Sequence, residues 1–459
     1  LETSLRRFRN ARDLFREENV PLGAQVQQLN TRYQKVTGAL TVAWEGEEIT
    51  VAQVAPFLQS QDRDTRERAF RLRAAPYIAA RDELAALFDE QFALRERIAR
   101  NAGFANYRDY AHREKNRFDY TPADCERFHA AVEEAVVPAV ARRLERRRAQ
   151  LGLDPLRPWD TGPDPQGRPP LRPFADVAGL IDPAVRIFPQ IDPTLGGYFR
   201  TMADEGLLDL DSRKGKAPGG YCTSFPRTGR PFIFMNAVGV AGDVTTLLHE
   251  AGHAFHAFAA HDQPLLFQRH PGSEMAEVAS MAMELLTAPY LGRERGGYYA
   301  AEEARRARIE HLEGILTLLP HIASVDAFQQ WIYTSGEGAD AGARDAAWLR
   351  IRARFEAGLD WSGLTAERVA RWYQQLHIFL IPFYYIEYGI AQIGALQVWR
   401  NSLRDPQGAL AAYRRALALG GTAPLPELYA AAGARLAFDG GTMGELVGLI
   451  EEQLAALEG

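Results

Sequence analysis

Apolar residues recur at helical spacing along most of the chain. Residues 1–35 and 62–102 place them three and four apart on a charge-rich background, which predicts amphipathic helices. Between these segments, Gly38-Ala39-Leu40-Thr41-Val42-Ala43-Trp44 followed by Glu45-Gly46 predicts a short hairpin. Thr121 and Pro122 open the next helix, as N-cap and first helical residue, and the pattern continues to about Leu151. Seven prolines and three glycines then fall within residues 152–175, too many for regular structure. That connection is the expected domain boundary, with an N-terminal helical lobe over 1–155 and a catalytic region over 156–459. Helical spacing resumes at about residue 176. It is interrupted by one clear strand, Arg230-Pro231-Phe232-Ile233-Phe234-Met235-Asn236, and by a polar break at 335–340.

Composition narrows the class. The 459 residues are 46% hydrophobic and 24% charged, as in ordinary globular chains. The net charge of -6 and the lack of a long basic run argue against a nucleic-acid partner. No apolar run reaches the ~18 residues that a membrane helix needs, so no membrane partner is expected. Two distant cysteines, Cys125 and Cys222, make neither a disulfide framework nor a metal motif, and a cytoplasmic location is expected.

The chemistry concentrates after the strand. Five of the ten histidines fall within 22 residues, beginning with His249-Glu250-Ala251-Gly252-His253. Asp243 is placed to N-cap a helix running through about Ala260. On it His249 and His253 sit one turn apart on one face, so both imidazoles can reach a single Zn2+. Glu250 beside them can act as general base on a water that zinc acidifies to a pKa of about 7. A catalytic zinc needs a third protein ligand. The pattern HExxHxxGxxH fails, because His256 and Ala259 stand where its Gly and third His would be. The next helix, Ser273 to about Thr287, is apolar nearly all round yet carries Glu274, Glu277 and Glu284. Carboxylates on a buried helix need a cation or a hydrogen-bond network. Glu277 is the expected ligand, with Glu274, Glu284 and His256 as candidates to support the ligand histidines or as ordinary core and capping groups.

These residues resemble a known family. His249-Glu250-Ala251-Gly252-His253-Ala254-Phe255-His256, followed by Glu274-Met275-Ala276-Glu277-Val278-Ala279-Ser280, is similar to the thimet oligopeptidase and oligoendopeptidase F family of zinc metallopeptidases, and closer to the oligoendopeptidase F branch. The likeness implies a mainly α fold, with two helical lobes around a deep channel and a zincin-like catalytic region with a small β-sheet. It implies one Zn2+ per chain and short, unstructured peptides as substrates, cut at internal bonds. Gly219-Gly220-Tyr221-Cys222 and the strand through Phe234 and Asn236 resemble the family's segment before the zinc helix. A strand there with an unpaired edge could hold an extended peptide, so Gly220, Tyr221, Phe234 and Asn236 are candidate substrate contacts. The segment His377 to Gly389 resembles the family's histidine- and tyrosine-rich stretch. By that resemblance Tyr388 and Tyr385, with His377 beside them, would donate hydrogen bonds to the oxyanion that forms as water attacks. A metallocarboxypeptidase of similar helical fold, or an inactive zinc-dependent peptide-binding protein, would be the alternatives. The intact Glu250 argues against the second.

Overall fold

The computed structural model describes residues 1–213, 216 and 219–459. The fold is mainly helical with two small sheets. The first charge-rich segment forms two helices, Glu2–Leu14 and Asn19–Gly38, and the second forms Arg63–Ala79 and Arg81–Asn101. The expected hairpin is β1 (Thr41–Trp44) paired antiparallel with β2 (Glu47–Thr50). Its two-residue turn puts Glu45 at φ 54° and Gly46 at φ 91°, the left-handed geometry that matches strand twist. Trp44 and Val42 then pack with Val54 and Ala69. The helix opened by Thr121 starts at Pro122, and the Thr121 hydroxyl accepts from the Asp124 N–H as an N-cap should. Its path to Leu151 contains a π turn over Val132–Val136. Pro138 lies just beyond that turn. Proline brings no N–H and crowds the carbonyl four residues back, and a widened turn relieves both.

The chain divides into two compact units that exchange more than once along the sequence. The first comprises Leu1–Phe8, Leu171–Leu316 and Glu387–Gly459; the second comprises Arg9–Pro170 and Thr317–Ile386. The exchange at 170/171 falls inside the proline-rich connection. Residues 317–386, downstream of the expected boundary, belong with the N-terminal helices. The helices Ala301–Thr334 and Tyr385–Arg404 each contribute to both units.

In the first unit a three-stranded sheet stands before the functional helices. Its order is β3 (Leu208–Asp211), β5 (Arg230–Ala237), β4 (Tyr221–Phe225), with β3 parallel and β4 antiparallel to β5. Side chains along β5 alternate, with Pro231, Ile233, Met235 and Ala237 buried, as a period of two requires. After β5 come the histidine helix, Ala241–Ala259, and the acidic helix, Ser273–Thr287, the latter with the bounds expected from its apolar pattern. The two pack against each other through Gly252. A Cβ there would lie 2.6 Å from both the Ala279 carbonyl oxygen and the Ser280 Cα, so the helices approach more closely than any larger residue permits. Phe255, on the same helix, meets Phe188 edge-on, with ring centroids 4.9 Å apart.

The second unit has an aromatic core. Trp372 stacks on Phe379 and meets Phe88 and Phe328 edge-on. Tyr33 stacks on Phe379 and donates its hydroxyl to the Tyr373 carbonyl at 2.8 Å, which satisfies its buried polar end. No described helix is long and apolar enough to cross a membrane.

Candidate metal centre

The histidine helix begins at Ala241, two residues before Asp243, so Asp243 is not its N-cap. From the third helical position its carboxylate reaches back to the N–H groups of Val238 and Val240, at 2.8 and 3.0 Å. The start shifts because one carboxylate at that position can serve two orphan donors and also complement the positive end of the helix.

Two turns further on, His249 and His253 present adjacent rings, with centroids 4.9 Å apart. Closeness of the helices at Gly252 brings Glu277 up to both. One Glu277 carboxylate oxygen lies 3.3 Å from His249 Nε2 and 3.6 Å from His253 Nε2. The ligand atoms of the three residues all fall within 4.8 Å of one another. With zinc–ligand bonds of about 2.0–2.1 Å, tetrahedral coordination sets neighbouring ligand atoms about 3.3 Å apart. The two nitrogen–carboxylate separations lie near that edge length.

The hydrogen bonds behind these atoms fit as well. His249 Nδ1 lies 2.6 Å from a Glu284 oxygen, and the other Glu284 oxygen lies 2.7 Å from His311 Nε2. A carboxylate accepts, so it holds a proton on His249 Nδ1 and leaves Nε2 turned toward Glu277, where it can bind a second proton or a metal ion. The ring of His253 also bonds to the main chain of Ala276. A ring nitrogen and a carboxylate oxygen 3.3 Å apart call for a positive charge between them, a proton in the metal-free site or a metal ion in its place. The electrostatics agree. Burial alone would lower the His249 pKa, but Glu277 and Glu284 outweigh it and raise it to about 10. Against the same cost of burial, His249 and His311 hold the Glu284 pKa down to about 2. Burial lowers His253 to about 4, which keeps its ring neutral.

Glu250 stands on the same helix, 7% exposed, with its pKa raised to about 7 by burial and by the charge of Glu277. The main chain of Cys222 on β4 bonds to its carboxylate, while its Oε2 has no hydrogen-bond partner among the described residues. His256 is buried one turn beyond His253, with its pKa lowered to about 3 by burial, and its Nε2 has no partner among the described residues. Glu274 lies in the first turn of the acidic helix, buried, where its charge acts on Tyr429. Of the three acidic-helix carboxylates, Glu277 and Glu284 are the two seen on the histidines. His311, sixty-two residues beyond His249, carries no spacing signal that could have singled it out.

The expected substrate strand needs correction. β5 is the central strand and pairs on both sides, so it has no free edge for a peptide. Phe234 stacks against Tyr221 at 5.0 Å and carries the Lys216 ammonium over its ring at 4.4 Å. The Asn236 side chain donates to the Gly219 carbonyl at 2.9 Å. The strand at the sheet edge is β4, which begins at Tyr221 directly after Gly220. Among the described residues it pairs only with β5. Pairing is a non-local property, and β3, the parallel partner that covers the second side of β5, carries no strong pattern of its own.

His377 and Tyr385 lie in the second unit, with ring centroids 4.7 Å apart in a T-shaped contact. Tyr388 lies in the first unit, one turn past Tyr385 on the same helix. Burial lowers the His377 pKa to about 4 and raises that of Tyr385.

Comparison with known proteins adds an independent line. The sequence profile of peptidase family M3 matches residues 57–166 and 183–445. A chromosomal oligoendopeptidase F of Lactococcus lactis subsp. cremoris is 31% identical over 109 residues, which is 24% of this chain and 17% of that protein. An oligoendopeptidase F homolog of Borreliella burgdorferi is 23% identical over 433 residues, covering 90% of this chain and 70% of its own length. Among solved structures, that of PZ peptidase A with an inhibitor superposes with a TM-score of 0.91 at 31% identity, over 99% of this chain and 80% of that one. The chain thus spans well under two thirds of the first of these relatives and most of the other two.

Proposed function

Because the chain belongs to peptidase family M3, we propose that it is a zinc-dependent oligopeptidase that hydrolyses internal bonds of short, unstructured peptides. One observation carries the reading: two histidine nitrogens and a buried carboxylate oxygen converge at separations suited to tetrahedral zinc, with the carboxylate of Glu250 one residue away on the same helix. The relatives named as oligoendopeptidases support the substrate class.

His249, His253 and Glu277 would hold the zinc. When bound, zinc supplies a Lewis acid that acidifies water and polarises a carbonyl. Glu250 takes the proton from the attacking water and passes it to the departing amine. Burial, which raises its pKa in the metal-free site, favours its taking up a proton. Glu284 holds the His249 ring by its Nδ1 proton, and His311 holds Glu284. A peptide would lie along the outer edge of β4, whose main chain already touches Glu250 at Cys222. Tyr388, with Tyr385 or His377, is the proposed donor to the carbonyl oxygen as it gains charge. Tyrosine hydroxyls and an imidazole N–H can each donate such a bond. Both cysteines are free thiols, in keeping with a cytoplasmic location.

Glu250→Gln tests the mechanism. The variant should retain zinc and bind peptides, yet lose turnover on an internally quenched peptide blocked at both ends by at least about 10²-fold, the low end of what a positioned acid–base group contributes. Wild-type rates in the zinc-loaded variant would sink the role of Glu250. Failure of the wild-type protein to cut any blocked peptide would sink the endopeptidase reading.

A further inference from the structure

A chain of polar side chains runs through the second unit to His377, and its direction can be worked out from its first member. Glu356 is nearly buried and pairs with Arg352, with Arg368 at 2.7 Å and with Arg371 at 3.3 Å, which fixes the Arg352 guanidinium. Arg352 Nη1 lies 3.2 Å from His321 Nδ1. A guanidinium can only donate, so His321 Nδ1 must accept with its lone pair. His321 is a neutral ring, because burial and the Arg352 charge push its pKa down to about 3. Its single proton therefore sits on Nε2. That nitrogen lies 3.1 Å from Gln375 Oε1, which accepts. The amide nitrogen of Gln375 is then committed as a donor, and it lies 2.8 Å from His377 Nδ1. A flipped amide would set N–H against N–H at His321, so the orientation is not free. The same amide bonds to Tyr385, lowering its pKa against the effect of burial, as a donor to its hydroxyl oxygen does.

We propose that Arg352, His321 and Gln375 form a one-way chain of hydrogen bonds that fixes His377 as the neutral tautomer with its proton on Nε2. Gln375 and His321 are then positioning residues. They set the ring proton of His377 on Nε2 and give the hydroxyl oxygen of Tyr385 a donor. The functional part rests on the reading of His377 and Tyr385 as donors to the substrate carbonyl oxygen. Reversing the chain would put a lone pair where the donor is needed.

The test uses the zinc-loaded full chain labelled with [15N]histidine, with the His377 signals in a long-range 1H–15N spectrum assigned by their loss in His377→Gln. In the wild type at pH 8, Nδ1 should appear as an unprotonated nitrogen and Nε2 as a protonated one. Gln375→Glu offers His377 Nδ1 an acceptor in place of a donor. Nδ1 should then become protonated and Nε2 bare. With it kcat should fall about 10²-fold, as for loss of one oxyanion donor, with KM and zinc content nearly unchanged. A protonated Nδ1 in the wild type, or an unchanged pattern in Gln375→Glu, would overturn the chain. An inverted tautomer with undiminished kcat would leave the chain standing and remove His377 from the proposed donors.

Discussion

Two buried acidic clusters in this protein are built on opposite terms. In the second unit Asp160 is fully buried, and its charge is met on the spot. Arg63 grips it with two nitrogens at 3.1 and 2.8 Å, Arg66 adds a third contact at 2.9 Å, and the Arg157 N–H a fourth at 2.9 Å. In the first unit Glu277 and Glu284 meet imidazoles, which are weak and conditional cations. The outcome is a histidine whose pKa is raised to about 10 inside a buried site. A carboxylate matched by arginine is finished as a structural element. Carboxylates gathered around imidazoles concentrate an appetite for positive charge, and the nitrogen and oxygen 3.3 Å apart mark where that charge belongs. The same carboxylate group therefore reads as scaffold in one place and as a ligand site in the other.

Replacing one carboxylate by its amide in each cluster should separate the two roles. The largest effect is expected from Glu277→Gln. It should release zinc on dialysis and lower kcat/KM by about 10³-fold or more, since a Lewis acid contributes several kcal/mol to the barrier. Its urea midpoint without metal should fall less than that of Asp160→Asn, because the Glu277 charge is met by imidazole and the Ser280 hydroxyl rather than by guanidinium groups. Metal analysis and denaturation on one preparation give both readings. Asp160→Asn should do the reverse. Two guanidinium groups lose their counter-charge, at a cost of about 3–5 kcal/mol in unfolding free energy, while zinc content per folded molecule stays that of the wild type. If Asp160→Asn shed zinc, or Glu277→Gln unfolded the protein, the division would be misdrawn.

His311→Phe sharpens the comparison at smaller amplitude. It removes the donor behind Glu284 without touching a ligand. Partners one step behind a metal ligand typically matter by 10–100-fold in affinity, and competition against a chelator of known strength should read a loss in that range. An unchanged affinity would mean that His249 alone is enough to hold Glu284 in place.

How far the sequence revealed these features depends on how local each one is. The acidic helix was legible to its ends, because an apolar run carrying three glutamates over 273–287 has its own period. So was the hairpin, whose Glu45-Gly46 turn is encoded in two residues. The convergence of Glu277 on the histidines came from buried carboxylates and family resemblance together. Gly252 makes it possible, yet the need for glycine there is evident only once Ala279 and Ser280 are seen 2.6 Å from its missing Cβ. His311 and the central place of β5 were out of reach, since each depends on a partner brought near by folding alone. The chain from Arg352 to His377 is of the same kind. Its members are scattered over residues 321–377, and nothing in their spacing orders them.

The smallest expected effect is a pH dependence. Burial raises the Asp160 pKa, but the hydrogen bonds from Arg63, Arg157 and Arg66 outweigh it and hold it below the ordinary value. A group depressed on folding stabilises fully above its unfolded pKa, near 3.9 for Asp. That contribution is lost as pH falls through the unfolded value toward the folded one. One proton is at stake, so the slope cannot exceed about 1.4 kcal/mol per pH unit. The stability gap between the wild type and Asp160→Asn should therefore be constant from pH 7 to about pH 5 and narrow below pH 4, measured by urea denaturation of the metal-free proteins. Metal-free samples matter, because protonation of His249 and His253 would otherwise release zinc in acid and add its own loss. A gap that stayed constant to pH 3 would mean that shape and hydrogen-bond count at Asp160, rather than its charge, stabilise the fold, and the contrast between the two clusters would then be one of geometry alone.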